Sequence, residues 1–170
     1  MLATTKQLFA TLIIALAACG WAPRKDPYAG LVKEKPNQKF ACVHTDAEWK
    51  KLLPGLSYSV LRQADTEEAF TGKYWDLHQK GQFVCAGCGQ VLFSSDDKFD
   101  SGTGWPSFTR EIAHGRVLVR EDDSFGMQRE EVICSKCGGH LGHVFDDGPA
   151  PTGLRFCMNS AALKFIPKKQ

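Results

Sequence analysis

The chain has 170 residues, 43% apolar and 24% charged, with a formal net charge of +2. That is ordinary globular composition at a length that suits one domain. A charge this close to balance, with no basic stripe interleaved with aromatics, argues against nucleic acid as a partner.

The first element is apolar. Lys6 precedes an apolar run at residues 8–18 that is too short to span a bilayer. A short apolar run behind a positive residue, ending in small residues, reads as a signal peptide. Leu16-Ala17-Ala18-Cys19 also resembles the bacterial lipobox, in which Cys19 is acylated and becomes the mature N-terminus. Several acyl chains on one residue anchor a protein stably. The competing reading is an ordinary secretory signal with Cys19 incidental. Gly20 is no inner-membrane retention acid, so the expected location is the bacterial cell envelope, on the outer membrane facing the periplasm. The expected organisation is a signal peptide (1–18), a lipidated N-terminus with flexible linker (19–39) and one domain (40–170). The linker carries Pro23, Pro27 and Pro36 among Arg24, Lys25, Lys33, Lys35 and Lys39. With little to bury, it is expected to stay extended and solvated.

Thr45-Asp46-Ala47-Glu48 reads as a capping box that opens a helix. Trp49, Leu52 and Leu53 then share a face, and Pro54-Gly55 stops the helix. Asp65-Thr66-Glu67-Glu68 suggests a second short helical turn. Phe70, Tyr74 and Trp75 suit packing better than ligand binding. After Lys80-Gly81 the texture turns to strands: 82–84, 91–93, 117–119, 124–127 and 131–133. Short strands with turn signals and little helix predict a mainly β domain with antiparallel sheet. The clearest strand is Leu154 to Ser160. Alternation puts Leu154, Phe156 and Met158 toward the core and Arg155, Cys157 and Asn159 on the other face.

Cysteine spacing carries the chemistry. Cys85-Ala-Gly-Cys88 and Cys134-Ser-Lys-Cys137 are each followed by a glycine, which suits the turn that brings two sulfurs onto one ion. Four thiolates make a closed, structural zinc site; two disulfides are the competing reading. Cys157 is left over for reaction, and Arg155 on its face would favour the thiolate. Burial as an inert core cysteine is the alternative. His140 and His143 follow the second pair directly, so zinc would aim both imidazoles, as general acid or as groups that orient a reacting oxygen. Their alternatives are zinc ligation or surface packing. In 102–108, Trp105 offers an aromatic wall to an apolar group or a sulfur substituent, or else a core tryptophan in a tight turn.

The stretches 101–108, 140–149 and 154–163 closely resemble the B-type peptide methionine sulfoxide reductases, a likeness that runs from about Thr45 to Phe165. The resemblance implies two antiparallel β-sheets with short N-terminal helices, a structural zinc on Cys85, Cys88, Cys134 and Cys137, and reduction of the R epimer of methionine sulfoxide. It implies Cys157 as nucleophile, with Trp105, His140, His143, Phe145, Arg155 and Asn159 around the sulfoxide. Implied partners are oxidised proteins and a thioredoxin-like reductant, besides the membrane through the lipid anchor. A monomer is the default expectation. Many members carry a resolving cysteine where this chain has Thr103, so Cys42 is the expected resolving thiol; direct reduction by an external thiol is the alternative. Rival readings are a lipid-anchored zinc module that binds a protein partner, a zinc hydrolase and a thiol-disulfide oxidoreductase. Four cysteines close the metal to hydrolysis, and both cysteine pairs are committed to zinc.

Overall fold

The structure, a computed structural model, describes residues 26–169. The apolar leader, the lipobox and Cys19 lie outside them. The described chain begins by docking, not by standing off. The Val119 N–H donates to Val32 O, and the Glu34 N–H donates to Val119 O, both at 2.9 Å. Tyr28 and Leu31 pack against the core. Residues 28–34 are therefore not the solvated linker expected from the prolines and lysines around them. The cause is Val119 itself, which lies on an edge strand whose backbone groups need partners.

Helix α1 (Asp46–Leu52) opens on the expected capping box. Thr45 Oγ1 accepts from the Glu48 N–H at 3.3 Å, and the Glu48 carboxylate accepts from the Thr45 N–H at 2.7 Å. Such a cap is worth about 1 kcal/mol. Trp49 and Leu53 are buried, but Leu52 is 55% exposed, because so short a helix buries only a narrow stripe. Pro54 does end α1, yet it also starts a helix that the sequence reading missed, α2 (Gly55–Gln63). Its carbonyl takes the first helical bond, from the Tyr58 N–H at 2.9 Å. Residues 65–68 form no helical turn, because Glu67 spends its backbone groups on tertiary partners.

The strands are β1 (Gly81–Cys85), β2 (Val91–Ser94), β3 (Lys98–Phe99), β4 (Ser107–Phe108), β5 (Val117–Asp122), β6 (Arg129–Cys134), β7 (His140–Phe145), β8 (Arg155–Met158) and β9 (Leu163–Pro167). They form two antiparallel sheets, ordered β2-β1-β9 and β3-β4-β8-β7-β6-β5. Residues 124–126 are a 3₁₀ turn rather than the expected strand. The β5–β6 hairpin pairs as far as Asp122 and Arg129, so the intervening chain must reverse direction. Strand β7 is not among the strands expected from the sequence.

Phenylalanines join the sheets. Phe93 of β2 stacks on Phe108 of β4 with centroids 4.5 Å apart, and Phe83 of β1 meets Phe108 edge-on at 4.9 Å. All three are fully buried, and aromatic pairs of this kind add about 0.5–1.5 kcal/mol each beyond area burial.

The four paired cysteines make a second tie. Cys85 ends β1 and Cys134 ends β6, so each sheet contributes one pair. All four are free thiols, and their sulfurs lie within 4.8 Å of one another. Cys85 and Cys137 are 3.7 Å apart, Cys88 and Cys134 3.5 Å. Tetrahedral zinc with Zn–S bonds of about 2.3 Å sets sulfurs about 3.8 Å apart. The cluster fits that ion and does not fit two disulfides. Gly89 and Gly138 both have positive φ, +72° and +68°, the conformation that closes each turn. One zinc per chain is the expected metal content. Chelation under mild denaturant should expose four more titratable thiols and lower Tm by about 10 °C or more. Metal analysis that finds no zinc, with two bridges in the peptide map, rejects this site.

Candidate active site

Strand β8 places its residues as alternation predicts. Leu154, Phe156 and Met158 are buried, and Cys157 points the other way, partly exposed. Pairing on both sides of β8 then builds a row that the sequence could not show. Ser107 of β4 stands opposite Cys157, Cys157 opposite His143, His143 opposite Glu131 and Glu131 opposite Arg120. Residues directly opposite in adjacent strands share a face. A hydroxyl, a thiol, an imidazole, a carboxylate and a guanidinium thus lie side by side across five strands.

His140 and His143 are three apart, so a regular strand would send them to opposite faces. The β6–β7 pairing slips between Val132 and Ile133, with Gly142 opposite Val132 and His140 opposite Ile133. This bulge returns His140 to the face of His143. The rings meet edge-on with centroids 5.4 Å apart.

Each imidazole rests on a carboxylate backed by an arginine. His140 Nδ1 lies 2.7 Å from Glu131 Oε1, and Arg120 grips the same carboxylate at 2.6 and 3.0 Å. His143 Nε2 lies 2.8 Å from Asp122 Oδ2, which Arg129 Nη2 contacts at 2.6 Å. Asp122 is held well below the usual carboxylate range, by hydrogen bonds from Ser124 first and then by His143 and Arg129. Burial pushes Glu131 up, but hydrogen bonds from His140 and Arg120 outweigh it, and its pKa is lowered. Ionised carboxylates only accept, so the facing nitrogen of each ring carries its hydrogen. That leaves His143 with Nδ1 bare. Burial also lowers the pKa of His143 despite Asp122, so this ring is neutral at pH 7.

A cavity of about 150 Å³ opens between β7 and β8. It has room for about five water-sized volumes of ~30 Å³, enough for the end of one side chain. Trp105, His143, Phe145, Cys157 and Asn159 line it, together with Thr66 and Arg129. Two larger hollows, of 530 and 360 Å³, lie elsewhere and hold no cysteine or histidine. Trp105 ties its polar end down by donating from Nε1 to Glu67 O at 3.1 Å, which leaves the ring as wall. Asn159 is more committed than expected. It is 97% buried (3% exposed), its Nδ2 donates to Leu141 O at 3.2 Å, and its Oδ1 accepts from the Glu67 N–H at 3.0 Å. One amide hydrogen remains for a ligand.

Arg155 departs from expectation. Its guanidinium is clamped by Asp147 at 2.8 and 2.9 Å and lies 4.4 Å over the Phe145 ring. Its charge still favours a Cys157 thiolate, as do Thr103 and Ser107, but burial outweighs them and pushes the Cys157 thiol up. Cys157 is therefore a thiol at rest, not the thiolate that Arg155 suggests. Thr103 Oγ1 lies 3.9 Å from Cys157 Sγ, so position 103 does touch the nucleophile, with a hydroxyl in place of a thiol.

Cys42 and His140 are not among the residues that line the cavity. His140 sits behind His143, whereas Cys42 sits on the zinc turn, its N–H donating to Lys136 O at 2.9 Å. From Gly139 at that turn to His143 beside Cys157, the strand rises about 13 Å.

The sequence reading missed Asp122, Glu131, Arg129 and Ser107. Arg129-Glu130-Glu131 carried a usable signal: charged residues alternating into an apolar strand that leads straight to the second cysteine pair. Asp122 carried none, since Asp122-Asp123-Ser124 reads as any polar turn. One consequence is testable in the resting protein. Iodoacetamide modification of Cys157, followed by peptide mass, should accelerate nearly tenfold per pH unit from 7 to 9 with no plateau. A plateau below pH 8 would mean a pre-formed thiolate and contradict the burial argument.

The SelR domain model matches residues 53–167. Three curated relatives carry the name peptide methionine sulfoxide reductase MsrB. That of Leptospira interrogans is 59% identical over 121 residues, 71% of this chain and 92% of its own. That of Methanosarcina barkeri is 57% identical over 74% of this chain and 89% of its own. That of Bradyrhizobium diazoefficiens is 56% identical over 74% and 91%. A thiol, a braced imidazole and an indole around one small cavity, on two sheets that meet at a four-cysteine cluster, match that likeness, and the chain belongs to the SelR-domain family of B-type peptide methionine sulfoxide reductases.

Proposed function

We propose that Cys157 is the nucleophile with which this chain reduces the R epimer of protein-bound methionine sulfoxide to methionine. Family membership makes the chain a peptide-methionine (R)-S-oxide reductase that acts on oxidised proteins and draws on a thiol reductant. The observation that carries the assignment of the site is the cross-strand pairing of Cys157 with His143.

The resting pair is a thiol and a neutral imidazole, which together hold one exchangeable proton. Bound sulfoxide completes the reaction set. Cys157 Sγ passes its proton to His143 Nδ1 and attacks the sulfoxide sulfur, and the imidazolium delivers that proton to the oxygen as the S–O bond breaks. The hydroxide so released adds to Cys157 Sγ and breaks the new bond between the two sulfurs, so methionine leaves and Cys157 holds the oxygen as sulfenic acid. Asp122 stabilises the transient imidazolium, and Glu131 fixes His140 behind it. The Trp105 and Phe145 rings take the methyl group and the apolar stem. The free amide hydrogen of Asn159 takes the oxygen, so the S epimer would leave a polar group unpaired.

A second thiol condenses with the sulfenic acid, expelling water, and a thioredoxin-like dithiol reopens the disulfide. Cys42 is the proposed second thiol. A disulfide needs Cα atoms within about 7 Å, so residues 40–44 must leave the zinc turn to reach Cys157. Upstream, Cys19 is the proposed acylated terminus, holding the domain at the outer membrane in the periplasm. Intact mass of the mature N-terminus tests that: an unmodified start beyond Cys19 rejects it.

Activity depends on one proton shared by two groups, His143 with a lowered and Cys157 with a raised pKa. As pH falls, protonation of His143 removes the base; as pH rises, loss of the Cys157 proton removes the acid. Single-turnover kcat/KM should therefore stay flat from about pH 6.5 to 9, the ordinary values of the two groups. Asp122→Asn should lower it about 10–100-fold. Cys157→Ser should form no methionine even in one turnover; methionine from that variant would overturn the assignment. Cys42→Ser should complete the first turnover and then stall with its protein reductant. Normal cycling, with no Cys42–Cys157 peptide, would exclude Cys42.

A further inference from the structure

We propose that Glu67 is a positioning residue that sets both the indole of Trp105 and the amide of Asn159 for the sulfoxide. The inference rests on the reductase reading but concerns a residue that does not touch the reacting atoms.

Glu67 is 4% exposed. An isolated buried carboxylate is costly unless hydrogen bonds replace water. Here the partners are main chain. Oε1 accepts from the Ser160 N–H at 2.7 Å and Oε2 from the Ala161 N–H at 2.8 Å. These are the two residues that follow Asn159. The backbone of Glu67 addresses the site directly. Its N–H donates to Asn159 Oδ1 at 3.0 Å, and its carbonyl accepts from Trp105 Nε1 at 3.1 Å. One residue thus makes four hydrogen bonds, and every one ends on a cavity-lining side chain or on the chain just past one. The side chain acts as clamp and the main chain as bracket. While the carboxylate grips 160–161, the peptide groups of Glu67 stand at fixed distance from β8, and the indole plane and amide orientation follow.

Glu67 borders the 360 Å³ hollow, but its carboxylate is tightly packed on the Gly72 side. A Cβ on Gly72 would collide with Glu67 Oε1 and Ser160 Oγ. Ser160 Oγ in turn accepts from the Tyr74 N–H at 3.2 Å. The chemistry also selects a carboxylate over an amide. Two N–H donors converge on the group; glutamine offers one oxygen and turns an NH₂ toward the second donor. Glu67→Gln therefore breaks one grip at nearly constant volume. Glu67→Asp keeps the charge but shortens the reach by one methylene.

The test compares wild type, Glu67→Gln, Glu67→Asp and Trp105→Phe on a peptide bearing the R epimer, well below each variant's melting temperature. Zinc content and circular dichroism report the fold. The expected result for Glu67→Gln is a KM raised about tenfold with kcat changed less than threefold, as for lost ground-state positioning. In Trp105→Phe, which has no indole N–H, adding Glu67→Gln should cost less than twofold more, because residues that act through one another are non-additive. A purely structural glutamate predicts the opposite: KM unchanged in a folded variant, and losses that multiply. Either outcome overturns the proposal. Should Glu67→Gln fail to fold, Glu67→Asp decides by the same readouts. A signal free of turnover accompanies them. The ¹⁹F line of 5-fluorotryptophan at position 105, assigned through Trp105→Phe, should broaden or split in the Glu67 variants while those of Trp49 and Trp75 hold still. Wild-type protein inert toward the sulfoxide would sink the reductase reading; the Trp105 line would still decide whether Glu67 sets the ring.

Discussion

The two-residue period of β8, paired on both edges, is the constraint on which the rest depends. On one face it buries Phe156 against Phe93 of the opposite sheet, with Phe108 beside it. On the other it holds Cys157 between Ser107 and His143. Core and site are thus two faces of the same few residues. A slip of one residue would send Cys157 into the core and Phe156 into the cavity. The same packing that stabilises the domain therefore fixes the register of the nucleophile, and no separate device is needed to place it.

Placing the site on a sheet face roofed by neighbouring chain has an electrostatic consequence. Burial acts in the same direction on both reacting groups, toward their neutral forms: Cys157 goes up and His143 goes down. The nearest fixed charges are already paired, Arg155 with Asp147, Arg129 with Asp122 and Arg120 with Glu131. The site at rest is a set of matched charges around two neutral groups. In the proposed reaction, charge separation waits until a polar sulfoxide arrives, with Asp122 already in place to receive an imidazolium. A thiol kept protonated between turnovers also reacts slowly with stray oxidants, since the thiolate is the form they attack.

The zinc cluster and the β7 bulge serve this arrangement from one end. Cys134 and Cys137 close the turn from which β7 departs, and the slip at Ile133 follows at once. A zinc held by the four cysteines would join β1 of one sheet to β6 of the other, and the carboxylate of Glu131, three residues before Cys134, would share that anchor. At the other end of the cavity no metal is available, and buried hydrogen bonds through Glu67 hold the indole and the amide.

The sequence by itself determined the mainly β class, the α1 cap at Thr45 and Glu48, the face on which Cys157 lies and the gathering of four cysteines. Each rests on local geometry: a capping box, a period of two, a doubled Cys-x-x-Cys. Other features were decided only by the tertiary structure. Pro54-Gly55 proved to be a helix junction, residues 31–34 found an edge strand, and Thr66-Glu67 formed no helical turn, because partners far along the chain outweighed local propensity. The bulge that reunites His140 with His143 leaves only Gly142 as a mark, and a glycine alone does not say which way the strand slips. The thiol state of Cys157 was equally hidden. A nearby arginine can be read from spacing, but the Asp147 clamp on it and the burial of the sulfur are sums over the whole fold, and those sums set the charge.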